Sequence, residues 1–294
     1  MTPATPSATT PVPALSLDRP PGPAECDAVA LRLAGIAAAA GVILRHYELG
    51  GCRHHLKADG SPTSQADLAA EAQIVAALGE AWPGIPVIAE ETAAEAAPAA
   101  LFFLVDPLDG TKDFLKGTGE YTVNIALVSG ERPVAAALAA PALGRIWAAG
   151  TRALEAPIVE GGPGAFRPVA ARPAPPEGMT ALVSRSHGEA ADEACLAGLA
   201  VARRRGVSSA LKFGLLACGE GDVYVRCGPT MEWDTAAGDH ILTQAGGCLV
   251  GPDGRPFGYG RRPGQYRNGP FAAFGDPSRA ARAVLPATSP TRAG

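Results

Sequence analysis

Leu101–Phe114, LFFLVDPLDGTKDF, opens with an apolar run, Leu101 to Val105, that gives way at once to Asp106, Pro107, Leu108, Asp109, Gly110 and Thr111. The run predicts a buried strand, and the Asp, Pro and Gly after it predict a tight exit turn. Two carboxylates at the mouth of a buried strand are costly. They have to stay wet, meet partners or hold a cation.

Upstream, Pro86 to Ala89 predicts a short strand running into Glu90-Glu91, a second acidic strand exit, and an acidic Ala-rich linker, Thr92 to Ala100, follows it. Cys26 to Leu49 suits a long helix buried along much of its length. After a polar turn, Lys57 to Thr63, the residues Leu68, Ile74, Val75, Leu78 and Trp82 recur at helical spacing, with Thr63 or Ser64 as the cap. Asp67 then sits in the first turn, where it serves either the helix dipole or the chemistry of a site.

Downstream, Tyr121 to Val128 alternates apolar with polar or small residues and predicts a half-buried strand. Val134 to Ala139 and Arg145 to Ala149 continue it as an antiparallel sheet. The densest interior cluster of Gly and Pro, residues 161–178, marks the domain junction. Beyond it, Thr180 to Val183 predicts a strand and Glu189 to Arg205 a helix whose Arg203-Arg204-Arg205 end is a solvated cationic C-terminus. A second helix over Leu211 to Cys218 and a strand over Asp222 to Arg226 follow, and Asp234 opens a third helix that runs to Gln244. The expected organisation is a disordered tail (1–24), an N-terminal α+β metal-site domain (25–160), the linker (161–178), a C-terminal α/β substrate domain (179–284) and a tail (285–294).

The chain has 294 residues, 47% hydrophobic and 18% charged, which is the balance of a globular protein. No uncharged run reaches the length of a membrane span. The net charge of −4 argues against a general nucleic-acid surface and leaves room for small anions where cations collect. Cysteines at 26, 52, 195, 218, 227 and 248 form no C-x-x-C pair, so buried reduced thiols are expected. The N-terminus lacks the basic start and apolar stretch of a secretory signal. The expected setting is the cytoplasm, free or peripheral at the inner membrane; the oligomeric state is open.

Glu90, Asp106, Asp109 and Asp234 all fall at strand ends or helix starts, with Asp67 on a neighbouring helix. Hard oxygen donors select Mg²⁺, Mn²⁺ or Ca²⁺ over zinc. Asp106 and Asp109 are three apart around a stiffening proline, so both can aim at one locus, and the Leu108 carbonyl can join them. Gly110 lets backbone approach a ligand, and Thr111 offers a hydroxyl and amides at a helix start, which suits phosphate. Carboxylate-held metal on one side and amides on the other make a site for in-line hydrolysis of a phosphate ester. The competing reading is a capped turn whose aspartates satisfy backbone amides.

Glu90-Glu91, Asp106-Pro-Leu-Asp-Gly-Thr111 and Trp233-Asp-Thr-Ala-Ala-Gly238, in that order, resemble the signatures of the inositol monophosphatase superfamily of lithium-sensitive, magnesium-dependent phosphatases. The resemblance spans Cys26 to Phe274. Asp109-Gly-Thr-Lys-Asp-Phe114 departs from the DGTxNF of inositol monophosphatases and is similar to the DGTK[DE]F of 3′(2′),5′-bisphosphate nucleotidases of the CysQ type. Tyr121-Thr-Val-Asn-Ile-Ala-Leu127, Ser184-Arg-Ser-His187, Leu211-Lys-Phe213 and Gly228-Pro-Thr230 point the same way.

The resemblance implies a layered α/β/α/β/α fold and Mg²⁺-dependent removal of the 3′-phosphate of adenosine 3′,5′-bisphosphate, a clearance step of sulfate assimilation. It also implies two or three Mg²⁺ ions, or Mn²⁺ in their place. Their ligands would be Glu90, Asp106, the Leu108 carbonyl, Asp109 and Asp234, with Asp109 and Asp234 sharing the second ion. Glu90 and Thr111 would orient and deprotonate the attacking water, Asp67 would support a third, weaker metal, and Glu91 would stand behind the ligands. The Gly110 and Thr111 amides would hold the phosphate beside Asp234, while Ser186, His187, Lys212 and Arg226 would take the ribose and second phosphate.

Other readings are that His187 caps the helix near Glu189, that Arg226 pairs with Glu232 at the surface, and that Lys57 is a solvated loop lysine. Trp233 is expected to pack under Asp234 rather than stack on adenine. Two functional alternatives stand: an inositol- or histidinol-phosphate phosphatase of the same superfamily, and a metal-binding regulatory protein without turnover.

Overall fold

The computed structural model describes residues 17, 19–56, 62–93, 97–185, 190–261 and 265–287. Lys57, Ser186, His187, Glu189 and most of both expected tails lie outside the described residues.

Helix α1 (Pro23–Gly50) starts with Pro23 in its first turn and with Glu25 accepting the Gly22 amide at 2.6 Å. It buries Val29, Leu33, Ala37 and Leu44. It is the one helix among the described residues long and apolar enough to cross a membrane, and more than half of that stretch is buried inside the protein. A hairpin, β1 (His54–Leu56) with β2 (Pro62–Ser64), leads into α2 (Gln65–Ala81). Ser64 caps α2 by accepting the Ala66 and Asp67 amides. Ala66, Ala70, Ile74 and Leu78 form the buried stripe, so Leu68 and Val75, expected on the packed face, instead stand exposed.

The first sheet is built from β3 (Val87–Ala89), β4 (Leu101–Asp109), β5 (Thr122–Ser129), β6 (Arg132–Ala140), β7 (Arg145–Ala149), β8 (Ala153–Val159), β9 (Gly162–Pro163) and β10 (Arg167–Pro168). A short helix, α3 (Thr111–Leu115), connects β4 to β5. The strands run in the order β10-β8-β7-β6-β5-β4-β3, with β9 also on β8; only β3 and β4 pair in parallel. Residues at the start of the expected linker thus add two short strands to the first sheet.

The second sheet holds β11 (Met179–Val183), β12 (Val201–Gly206), β13 (Val223–Arg226), β15 (Cys248–Val250) and β17 (Phe271–Phe274), in the order β12-β11-β13-β17-β15. A separate pair, β14 (Thr230–Met231) with β16 (Arg267–Asn268), stands beside it. Its helices are α4 (Ala190–Ala197), α5 (Leu211–Ala217) and α6 (Glu232–Gln244). One core cluster joins α1 and α2 to the first sheet, a second places α5 and α6 between the sheets, and a third covers the far face of the second sheet with Cys195 and Leu196 of α4. This is the α/β/α/β/α layering that the family resemblance implies.

Two expectations are corrected. β5 is buried at every position but its last, because α1 covers one face and α6 the other, so it is not half-buried. The helix expected over Glu189 to Arg205 stops at Ala197, and after Gly198 the chain turns extended. Val201–Gly206 then pairs in parallel with β11, so Arg203, Arg204 and Arg205 lie in an edge strand with their side chains in solvent.

α6 is locked to the first sheet by His240, whose ring Nε2 donates to the Gly150 carbonyl at 2.9 Å. Burial holds this imidazole down to about 4, below the ordinary histidine range. A group whose folded pKa is depressed below its unfolded value near 6.5 binds fewer protons in the folded state across that interval. Stability from this group should therefore be complete above about pH 6.5 and fall towards pH 4, by up to about 3 kcal/mol. Urea denaturation of the wild type and His240→Gln between pH 4 and 7 checks this: the gap in stability should narrow as the pH falls.

Candidate active site

The site grows from the end of β4. In a regular strand, residues three apart face opposite sides. Asp106 pairs in register with Asn124 and Asp109 with Thr122, so three steps on β4 span two on β5. The extra residue is a bulge, and it returns Asp109 to the face that carries Asp106. Gly110 follows at φ 94°, where a Cβ would stand 3.2 Å from the Glu120 carbonyl and 3.3 Å from the Ser209 Cβ. Glycine is required there both by the left-handed backbone and by the space.

Thr111 then starts α3, with its hydroxyl 3.1 Å from Asp67 Oδ1 and 3.2 Å from the Leu108 carbonyl. The other Asp67 oxygen accepts the Ser64 amide at 2.8 Å and the Ser64 hydroxyl at 2.5 Å. Asp67 is thus both a helix-capping partner and a neighbour of Thr111. Burial raises its pKa, and the Ser64 bonds work against that rise.

Glu90 arrives at the end of β3, its amide bonded to the Val105 carbonyl at 3.1 Å. The turn after it is pinned by Glu71, one turn beyond Asp67 on α2, which accepts the Glu91 amide at 2.9 Å and the Thr92 hydroxyl at 2.8 Å. Glu91 itself faces the Thr63 hydroxyl at 3.3 Å, behind Glu90. Asp234 enters from the opposite layer in the first turn of α6, where its carboxylate accepts the Met231 amide at 2.8 Å. It also stands within hydrogen-bond reach of Asp106. Trp233 beside it is buried against Tyr266, with ring centroids 5.8 Å apart, which is the packing role expected of it.

Glu90, Asp106, Asp109 and Asp234 therefore converge from two strands and a helix. Burial, then Glu90, Asp109 and Asp234, push the Asp106 carboxyl well above the carboxylate range; burial and Asp109 do the same for Asp234. Carboxylates so placed are stabilised by a shared proton or by a cation. Among the described residues no three such side chains close into a preformed cage. Mg²⁺ takes carboxylate oxygens together with water and phosphate oxygens. The oxygen-only donor set fits the group.

Two cavities meet at Asp109. One, of about 220 Å³, is lined by Glu90, Asp109, Gly110, Thr111 and Arg185. The other, of about 250 Å³, is lined by Asp109, Lys212, Tyr224, Arg226 and Asp234. Asp109 accepts the Ala210 amide at 2.5 Å. Lys212 is buried, donating to the Ser209 carbonyl at 2.7 Å and the Val207 carbonyl at 3.1 Å and lying 4.7 Å from the centre of the Tyr224 ring. Burial lowers its pKa to about 8 despite the opposing pull of Asp109. Arg226, at 9% exposure in this cavity, and Glu232, which accepts the Gly260 amide, are both buried, so neither stands at the surface.

Sequence reasoning missed Glu71 and the Arg185–Glu120 pair. Glu71 had a signal, since it lies on the buried stripe of α2 with Ala70 and Ile74. Arg185 donates to Glu120 at 2.8 and 2.9 Å, and Glu120 also accepts the Ser208 amide at 2.9 Å, closing the wall of the first cavity. Sixty-five residues separate that pair, and no local pattern announces it.

The profile described as the inositol monophosphatase family matches residues 24–283. The chain belongs to the inositol monophosphatase family. It is 36% identical over 211 residues to a protein of Escherichia coli (strain K12) named 3′(2′),5′-bisphosphate nucleotidase CysQ, covering 69% of this chain and 81% of that one. Among solved structures of the family, CysQ from Bacteroides thetaiotaomicron aligns with a TM-score of 0.72 at 31% identity, over 84% of this chain and 97% of that one. An inositol monophosphatase from Zymomonas mobilis aligns with a TM-score of 0.68 at 24% identity, over 85% and 95%, which speaks to the fold alone. Members of this family depend on a divalent metal, typically Mg²⁺.

Glu71→Gln replaces an acceptor oxygen by an amide donor facing the Glu91 amide or the Thr92 hydroxyl. The expected result is a loss of about 1–3 kcal/mol of stability, with a tenfold or larger drop in kcat. Thermal melting and steady-state kinetics on the same preparation check both.

Proposed function

We propose that this protein is a metal-dependent 3′(2′),5′-bisphosphate nucleotidase that converts adenosine 3′,5′-bisphosphate to AMP and phosphate. The observation that carries the reading is that Asp109 lines two adjoining cavities, one with Glu90, Gly110 and Thr111 and the other with Asp234 and the buried cations Lys212 and Arg226. A monophosphate needs only the first. A bisphosphate can place its cleaved phosphate in the first and its retained phosphate against the cations of the second.

Glu90, Asp106, the Leu108 carbonyl, Asp109 and Asp234 would hold two or three Mg²⁺ ions, which supply charge neutralisation at the phosphate and an acidified water when bound. The remaining work falls to the chain. The Thr111 hydroxyl, donating to Asp67 Oδ1, keeps its lone pairs free to accept a proton from the attacking water. Asp67, whose pKa is raised by burial, takes the proton on from Thr111. The amides after Gly110 and the N-terminal turn of α6 face the phosphate with partial positive charge and fix it for in-line attack. Lys212 and Arg226 orient the retained phosphate, so the 3′-ester is the one presented. Ser186 and His187 belong to the ribose side of the same reading. The same reading takes the protein as cytoplasmic, which the burial of the apolar stripe of α1 supports.

Purified protein with Mg²⁺ should release phosphate from adenosine 3′,5′-bisphosphate with a kcat/KM at least about a hundredfold above that for inositol 1-phosphate, a gap of about 2.7 kcal/mol. The reverse preference would return the reading to an inositol phosphatase. Asp109→Asn keeps the volume and deletes a ligand charge, so kcat should fall by a factor of about a thousand, or about 4 kcal/mol. Its melting temperature should hold or rise, because one of the mutually repelling buried carboxylates is gone; near-normal turnover would remove Asp109 from the metal site.

A further inference from the structure

β5 crosses the middle of the first sheet, and apart from Thr122 and Asn124 its residues up to Val128 are apolar. Those two polar side chains are buried at 0% and 1% exposure. They are also the residues paired in register with the two aspartates of β4, Thr122 with Asp109 and Asn124 with Asp106. Residues directly opposite in an antiparallel pair project to the same face. That face is the one towards α5 and α6: Ala126 and Val128 belong to the core there, whereas Val123 and Ile125 pack with α1 and α2.

Thr122 Oγ1 and both amide atoms of Asn124 have no hydrogen-bond partner among the described residues. The Asn124 amide faces Asp109 in a contact that falls short of hydrogen-bond geometry. Buried polar atoms without partners cost stability, and valine or isoleucine would suit a central strand better. The cost is borne next to the two carboxylates and nowhere else on this strand.

We infer that Asn124, assisted by Thr122, is a positioning residue that turns the carboxylates of Asp106 and Asp109 towards a divalent cation. The amide carries two donors, enough to engage one oxygen of each aspartate and leave the other oxygen to the metal. The Thr122 hydroxyl supplies one more donor beside Asp109. This inference rests on the metal reading of Asp106 and Asp109 given above.

The test uses Mn²⁺ alone as the probe, titrated into the full chain and followed by the loss of the free-ion electron paramagnetic resonance signal, with melting temperatures of the metal-free proteins alongside. Asn124→Leu should weaken Mn²⁺ binding about ten- to a hundredfold, and Thr122→Val by a smaller factor, while the metal-free melting temperature stays level or rises. Wild-type affinity in Asn124→Leu would overturn the inference and leave the metal reading standing, as would a lowered melting temperature with unchanged affinity. No Mn²⁺ binding by the wild type, or full binding by Asp109→Asn, would overturn the metal reading itself and this inference with it. Should Asn124→Leu fail to fold, Asn124→Ala and Thr122→Val carry the same comparison.

Discussion

Asp106 and Asp234, one at the end of a strand and the other in the first turn of a helix, meet in a buried place where both cannot keep a full charge unaided. Everything around the site follows from that constraint. With one shared proton the pair keeps a single negative charge between the first sheet and α6; a bound dication would let both ionise. In the proposed metal site, metal binding and proton release would be two sides of one equilibrium. Glu90 and Asp109 add charge to the same locus, which raises the cost of leaving it without a counter-charge and would favour a small hard cation there.

That constraint also explains why so much of the scaffold is spent on orientation. Glu71 pins the turn after Glu90, Ser64 and Thr111 hold the two oxygens of Asp67, the Ala210 amide holds Asp109, and the Met231 amide holds Asp234. For Asp109 and Asp234 the amide holds one carboxylate oxygen, whereas both oxygens of Asp67 and of Glu71 are held. Glu120 does the same for the wall, tying Arg185 of the second half and the Ser208 amide to the connection that enters β5.

Much of this was legible in the residues. The apolar run of β4, the acidic exits, the helix cap at Ser64 and the opening of α6 near Asp234 are local patterns, and each formed where it was expected. The convergence of Asp106 and Asp109 was anticipated for an incomplete reason: the stiffness of Pro107 contributes, but the register of β4 against β5 sets the parity, and pairing between distant segments leaves no mark in a single stretch. The same blindness made β5 look half-exposed. Thr122 and Asn124 read as solvent-facing because an alternating strand gives no sign that a helix some 110 residues later will cover its polar side. Arg203 to Arg205 failed for the opposite reason: an Ala-rich helical pattern continued to their door, and only Gly198 and the vacant edge of β11 turned the chain into a strand.

Those arginines have a bearing on what the molecule can join. β12 is an outer strand of the second sheet, and such strands offer an open ladder of amides and carbonyls to any extended chain that passes. Here the ladder is guarded. A newcomer pairing with β12 would have to strip water from Arg203, Arg204 and Arg205, two of which are already engaged with Glu193 and Glu220. Charge therefore disfavours strand addition at β12, and among the described residues this edge is guarded by its arginines.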